Sequence, residues 1–411
     1  MFYRSKWYYL EIQWLVIYKN IIMNKYLIFD LKCDISKFFF SLIPKKKKLV
    51  LFTSWFGMKY IDNTKYVYEY LLEHSDYKAV WMTKDKLIYN QLKREGKPVE
   101  MFGSLRGIIL QLRAQAAFST VQFSDYNIKY LTNCLFVDLG HGHPIKDPGS
   151  VVHDPDALHE YKKYFERVYF YAIVASTYVK EHRQITKSIP DNNIIVSGYA
   201  RNDVFFDAGL RVGKNEIVDK IKNGRKAVVY MPTHRNDGKE LMSMDTILPL
   251  KKIQSICEKQ GLVFIIKKHY YHRNETEDLS MFPNIFDITG EEEIDPQVLL
   301  CQADALISDY SACYVDYMLL KRPILFYQYD YERFTSKVRS LLTNFEDIKI
   351  APVSYTKGQF CSDLDKIFNG DIDYLERRMI FAHDYYFDNL DERNAREKVK
   401  KELDALMQKY K

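Results

Sequence analysis

Asp304-Ala-Leu-Ile-Ser-Asp-Tyr-Ser-Ala-Cys-Tyr-Val-Asp-Tyr-Met-Leu-Leu-Lys-Arg-Pro-Ile-Leu-Phe-Tyr-Gln-Tyr-Asp330 reads as strand, polar turn, helix and strand. Ala305 to Ile307 is a short apolar run, and Ser308, Asp309 and Ser311 are helix-capping residue types. Tyr314, Tyr317, Met318 and Leu320 recur at helical spacing until Pro323 blocks continuation, and Ile324 to Tyr327 forms the second apolar run. A helix that opens off a strand end presents unpaired backbone N–H groups and the positive end of its dipole. The turn is therefore a candidate phosphate seat, to which Ser308 and Ser311 would add hydroxyl donors. Ordinary capping accounts for the same residue types, so the rest of the chain has to decide.

Outward from this unit the same alternation repeats in two series. The first has strands expected at 49–53, 78–83, 97–102, 114–120, 134–139, 167–175 and 193–197, with helices near 62–73, 86–95, 104–113 and 177–187. After a polar stretch at 211–225, strands are expected at 226–231, 262–267, 285–289, 304–307, 323–327 and 348–353, separated by helices near 245–259, 295–302, 311–320 and 357–368. Strand and helix in alternation imply a parallel sheet covered on both faces, and two series imply an α/β chain of two tandem Rossmann-like domains. The expected division is 45–213 and 214–375, with an N-terminal segment 1–44 and C-terminal helices 376–411. The last of these has Ala395, Val399, Leu403 and Leu406 at helical spacing and is expected to pack back across the domains.

The chain has 411 residues, 47% apolar and 28% charged, with 33 Tyr and 25 Phe, a globular composition rich in aromatics. Its net charge of +6 is uneven: residues 1–48 carry ten Lys and Arg against three Asp and Glu, which leaves the body nearly neutral. A near-neutral body argues against nucleic acid, whereas a basic, aromatic leader suits an anionic membrane surface. There Trp7, Leu10, Trp14, Ile17 and Ile21 repeat at spacings of three and four, as in an amphipathic, interface-seeking helix; packing on the protein's own body is the alternative. The longest charge-free run, Val168 to Val179, is 12 residues, short of the roughly 20 a spanning helix needs. Six scattered cysteines without a Cys-x-x-Cys pair point to a reduced compartment.

In open parallel sheets ligands bind beyond the carboxyl ends of the strands, so residues just after each strand carry the chemistry. His141 and His143 lie on a Gly/Pro loop, Gly140 to Gly149, where a histidine can act as a general base. A metal site from His141, His143 and His153 would need a further fixed ligand geometry that a flexible i, i+2 pair does not supply. Arg201 follows the last strand of the first series, and Thr233 and Arg235 follow the first strand of the second. Either arginine could fork a phosphate or pair structurally, with Asp203 or Asp237 as the nearest carboxylates. Lys267 and His269 close the strand at 262–267, adding a cation and a candidate general acid at the same sheet edge as Ser308 and Ser311.

Taken in order, His141-Gly-His-Pro-Ile-Lys146, Gly198-Tyr-Ala-Arg-Asn-Asp203, Pro232-Thr-His-Arg235, Lys267-Lys-His269 and Ser308-Asp-Tyr-Ser311 with Asp316 and Arg322-Pro-Ile-Leu-Phe-Tyr327 resemble the CDP-glycerol glycerophosphotransferase family, which includes teichoic-acid primases and polymerases. The resemblance covers residues 50–355. It implies a GT-B arrangement, an N-terminal acceptor domain and a C-terminal donor domain. It also implies peripheral attachment at the cytoplasmic membrane face, with no cofactor and no obligatory metal. The expected partners are CDP-glycerol or another CDP-polyol, a lipid-linked glycan acceptor and an anionic membrane surface. By the same resemblance His141 and His269 are the expected catalytic pair. Gly142, Pro144, Arg201, Thr233, Arg235, Lys267, Ser308, Asp309, Ser311 and Asp316 are the expected substrate-binding set. The chain departs from the family at His143 (usually Thr), Ala200 (Pro), Tyr270 (Pro) and Ala312 (Ser). On fold alone, a GT-B glycosyltransferase using a nucleotide sugar and a catalytically silent, membrane-docked module remain alternatives.

Overall fold

The apolar runs assemble into two separate parallel sheets in the computed structural model, which describes residues 25–410 apart from 147–154, 188, 236–239, 292, 339, 343, 371 and 390–392. The first sheet contains β1 (Leu49–Phe52), β2 (Lys78–Thr83), β3 (Val99–Met101), β4 (Ala116–Ser119), β5 (Leu135–Asp138), β6 (Tyr169–Val174) and β7 (Ile194–Val196), in the order 3-2-1-4-5-6-7. The second contains β8 (Lys226–Met231), β9 (Leu262–Ile266), β10 (Ile285–Asp287), β11 (Ala305–Ser308), β12 (Ile324–Tyr327) and β13 (Val353–Ser354), in the order 10-9-8-11-12-13. Each sheet reverses its strand order once, between β1 and β4 and between β8 and β11, and the crevice at such a reversal is where ligands bind. Among the described residues no helix is long and apolar enough to cross a membrane.

Each expected strand is present, and the differences are local. Pro249 splits the helix expected near 245–259 into Met244–Ile247 and Leu250–Gln260, because a proline has no N–H to continue the ladder. The strand expected at 348–353 is only Val353–Ser354, since Phe345–Ile348 closes a helical turn. The helix after β11 is short, Cys313–Met318, and its N-cap is Ala312 with no side-chain cap bond. The leading positions Trp7 to Ile21 lie outside the described residues; residues 25–41 form a helix. One face of it packs inward: Arg167 donates to the Cys33 carbonyl (2.7 Å) and the Ser36 hydroxyl (3.0 Å), and Phe29 tilts against Tyr164. Its other face leaves Leu27, Leu31, Ile35 and Phe38 about half to two-thirds exposed, at spacings of four, four and three.

One apolar cluster runs from the first sheet into the second. Two buried ion pairs cross the same junction. Lys65, on the helix Asp62–His74, donates to Asp295 at 2.6 Å, and Tyr66 donates to the same carboxylate at 3.0 Å. Arg201 Nη2 donates to Asp316 at 2.6 Å, while Asn202 and Gln297 donate to the remaining lone pairs of Asp316. Burial works to raise the pKa of Asp316, yet the Arg201 charge outweighs it and holds the carboxyl at about 2. The chain then crosses back. Ile372–Tyr385 lies on Cys313–Met318, and Ala395–Lys409 returns to the helix Asp62–His74, where Tyr77 donates to Asp404 at 2.7 Å.

Removing one partner of a buried pair strands the other charge. Arg201→Ala should therefore cost about 3–5 kcal/mol in urea-induced unfolding, far more than an exposed pair such as Lys259–Asp365. A loss under about 1 kcal/mol would mean the junction does not depend on Arg201.

Candidate active site

The site begins with a strained turn. After β1, Trp55, Phe56 and Gly57 take successive positive φ angles of 47°, 62° and 82°, which side chains other than glycine adopt only where surroundings force them. Here the forcing is visible. Trp55 N–H donates to Thr120 Oγ1 (3.2 Å), Phe56 N–H to Asp125 (2.5 Å) and the Trp55 indole N–H to Asp62 (3.1 Å). The turn thus stitches the end of β1 to the end of β4, at the reversal of the first sheet. The indole that results touches both expected catalytic histidines, with ring centroids 5.2 Å from His141 and 6.0 Å from His269.

His141 sits on a clamped loop. Asn63 donates to the carbonyls of Leu139 and Gly140 (3.1 Å each), Arg201 to that of His141 (2.8 Å), and Tyr199 to that of Gly142 (3.0 Å). From the other half, Leu342 N–H donates to the Ile145 carbonyl, and Lys146 forms a β-bridge with Leu341. Gly142 has a φ of 146° and lies where a Cβ would come within 3.8 Å of Ala312, so the loop meets the second sheet's turn there. Pro144, half-buried, continues the same loop. The His141 Nδ1 atom is 3.0 Å from the Thr120 carbonyl. A carbonyl only accepts, so Nδ1 carries the proton and the neutral ring presents Nε2 as a lone pair, the form a general base needs.

His269 is arranged the opposite way. It closes β9 and its Nδ1 accepts the Tyr271 N–H at 3.3 Å, which leaves Nε2 as the protonated, donating atom of the neutral ring. His234 and Tyr271 pack against it at 4.6 and 5.0 Å. Burial, and then the repulsion that His234, Lys146, His272 and His141 would exert on a second proton-bearing ring, push its pKa down to about 3. Cations gathered around a half-buried imidazole are the electrostatics of an anion site.

The other expected binding residues divide. Ser311 is half-buried on the turn beside the Gly142 loop. Arg201 is not open to a ligand: it is buried between Asp62 (2.9 Å) and Asp316, partners other than the Asp203 weighed from sequence. Arg235 likewise donates to Asp309 (2.9 Å), Asp330 (2.7 Å) and the Thr233 carbonyl (2.6 Å) and is 2% exposed, while the Asp237 weighed from sequence lies outside the described residues. Asp309 is taken up by Arg235 and by the N–H groups of Thr233 and Tyr310, and Asp316 by Arg201. Ser308 is fully buried and donates to the Met231 carbonyl. Lys267 caps the carbonyls of Ile288, Thr289 and Glu291. These residues brace the strand ends. Thr233 is buried, with no hydrogen-bond partner for its hydroxyl among the described residues.

His143, an open alternative for metal binding, is boxed by Tyr199, Tyr386 and Phe387 and reaches Asp316 at 3.5 Å, in surroundings distinct from those of His141. Among the described residues no group of three could hold a metal. Trp55 and Tyr271 join the site without having stood out from sequence, and so do Lys146 and His234, which lie within the quoted motifs but were given no role there. A search confined to polar residues at strand ends misses an aromatic wall.

An anion entering beside His269 would offset the charges that depress it, so binding should take up protons. Inorganic pyrophosphate, titrated calorimetrically at about pH 6 in buffers of different ionisation enthalpy, should show net proton uptake that His269→Ala removes. Equal uptake in the variant would separate His269 from the anion site.

Comparison with known proteins places these features. The family model for CDP-glycerol:poly(glycerophosphate) glycerophosphotransferase matches residues 35–403. The teichoic acid glycerol-phosphate transferase of Staphylococcus aureus is 24% identical over 363 residues, 83% of this chain and 90% of that protein. A teichoic acid poly(glycerol phosphate) polymerase of Staphylococcus epidermidis is 27% identical over 78% of this chain, which spans only 46% of that longer protein. In structure, the wall teichoic acid polymerase TagF superposes with a TM-score of 0.69 at 21% identity, over 95% of this chain and 97% of that one. A TagF variant soaked with CDPG gives 0.70 at 21% identity, over 95% of this chain and 98% of that one. The two Rossmann-like sheets are therefore a GT-B-like pair, and the chain belongs to the CDP-glycerol:poly(glycerophosphate) glycerophosphotransferase family of phosphotransferases.

Proposed function

We propose that this chain transfers glycerol phosphate, or a related polyol phosphate, from a CDP-activated donor to a lipid-linked saccharide or polyol-phosphate acceptor. The setting is the cytoplasmic face of the membrane, in synthesis of a teichoic-acid-like wall or capsule polymer. The observation that carries the reading is the opposed tautomers: a ring with a basic Nε2 at His141 and a ring with a donating Nε2–H at His269, both against Trp55. The acceptor hydroxyl gives its proton to His141 as its oxygen attacks the polyol-bearing phosphorus. The bond to the second phosphate breaks and CMP leaves with the electron pair. His269 donates a hydrogen bond to the phosphoryl oxygens, where negative charge concentrates, and Lys146 adds charge nearby. Positioning and electrostatics account for the catalysis, and the first sheet's half is assigned to the acceptor, the second to the donor.

His141→Ala and His269→Ala should each lower the rate of CMP release from CDP-glycerol on the order of a hundredfold or more. A panel of CDP-glycerol, CDP-ribitol and UDP-sugars tests the class: CMP release without UDP-sugar turnover supports it, and UDP-sugar turnover returns the chain to the glycosyltransferase alternative. Membrane attachment is supported by the exposed apolar stripe Leu27, Leu31, Ile35 and Phe38. Leu31→Glu with Phe38→Glu should release the protein from anionic vesicles in sedimentation, and undiminished co-sedimentation would place attachment elsewhere.

A further inference from the structure

Away from the two histidines, a cavity of about 710 Å³ opens on the first sheet's half, within the size range of small-molecule sites. It lies between the strand end at Phe102 and Gly103, the helix Leu105–Arg113, the turn at 122–130 and the helix Pro155–Phe165. Its walls mix aromatic faces, Phe102, Tyr126 and Tyr161, with polar groups such as Gln111 and Glu160. Gln111 is the unusual member. It is 1% exposed, and its Nε2 is committed to the Gly107 and Phe102 carbonyls, yet its Oε1 has no hydrogen-bond partner among the described residues. A buried acceptor left open on a cavity wall asks for a donor from a ligand.

The cavity's position narrows what that ligand is. Its inner wall is the back of the catalytic turn: Phe102 packs where a Cβ on Gly57 would fall 2.9 Å from its ring. Asp125, in the 122–130 turn, accepts from Phe56 N–H and from Thr120 N–H, and the Thr120 carbonyl holds His141. Its outer wall meets the helix at 25–41, through Phe40 on Tyr130 and Phe29 on Tyr164. That helix carries the exposed apolar stripe, and the cavity's own helices add exposed Leu105, Ile109 and Leu158.

Resting on the transferase reading above, we infer that this cavity seats the lipid-proximal saccharide of the lipid-linked acceptor, whose polyol-phosphate end continues past the turn to His141. Ring faces stack on the aromatic walls, Gln111 Oε1 and Glu160 accept sugar hydroxyls, and the lipid leaves along the apolar helix face.

Gly103 gives a clean test, because a Cβ there meets nothing within 4 Å, so a large side chain can fill the cavity without displacing the fold. The probe is a disaccharide diphosphate carrying an octyl chain at the diphosphate and a glycerol phosphate at the far sugar. Gly103→Trp should raise its KM by about tenfold or more while KM for CDP-glycerol stays within about twofold. An unchanged acceptor KM overturns the proposal. Ser124→Trp, on an exposed position of the same wall, serves if Gly103→Trp melts early. Saturation-transfer NMR of the probe needs no turnover. A saturation-transfer signal from the unsubstituted protein that the filled variants abolish supports the site, and no such signal from the unsubstituted protein overturns it. Loss of binding to acceptor-free phosphatidylglycerol vesicles in Gly103→Trp would instead assign the cavity to a phospholipid headgroup and overturn the saccharide. Failure of the unsubstituted protein to release CMP from any CDP-polyol would remove the transferase reading, and the NMR signal, which requires no reaction, keeps that failure distinguishable from failure of the cavity to bind.

Discussion

A single guanidinium governs this molecule. Arg201 is buried between Asp62, on the helix Asp62–His74, and Asp316, beyond β11, and its third side-chain bond is to the His141 carbonyl. One side chain therefore ties the two sheets together and fixes the loop that carries the candidate base. Taking a guanidinium and two carboxylates out of water is costly, and that cost is offset only because Asn202, Gln297 and Asn63 complete the hydrogen bonds around them. Such an arrangement tolerates little displacement. A buried cluster with this many directed bonds, although Arg201 Nε has no partner among the described residues, favours one relative placement of the loops at the strand ends, and a catalytic pair drawn from both halves needs that.

The charges at the strand ends fall into two populations. Arg235 with Asp309 and Asp330, and Lys65 with Asp295, neutralise one another inside the protein, and Lys267 is held by three backbone carbonyls. Around His269, burial and then the neighbouring His234, Lys146, His272 and His141 instead disfavour a proton on the ring. The first population supplies rigidity. The second sets an environment that disfavours further positive charge on His269, an effect that a low-dielectric setting makes stronger than it would be in water.

The departures from the family pattern now have locations. His143 is enclosed by Tyr199, Tyr386 and Phe387 and leans on Asp316, so its larger ring fills the junction behind the His141 loop. Tyr270 packs under the cations of Lys59 and Arg273, with centroid distances of 4.0 and 4.3 Å, and Ala312 faces Gly142 where the two halves touch. A hydroxyl at position 312 would have to share that contact. Nothing in the structure explains Ala200.

The strand pattern was legible because it is local: period-two and buried apolar runs such as Leu49–Phe52 and Leu262–Ile266 read the same in isolation as in the fold. The strand-end rule located the His141 and His269 loops for the same reason. Ser308 and Asp309 also stand at a strand end, yet they face inward, and Trp55, which had no polar signal, faces the cleft. The sequence by itself determined two doubly wound sheets and the loops where chemistry could occur. Which of those polar residues meet a ligand and which brace the fold was decided only in three dimensions. The deciding partners, Asp62 and Asp316, stand 139 and 115 residues from Arg201, a pairing that no local spacing encodes.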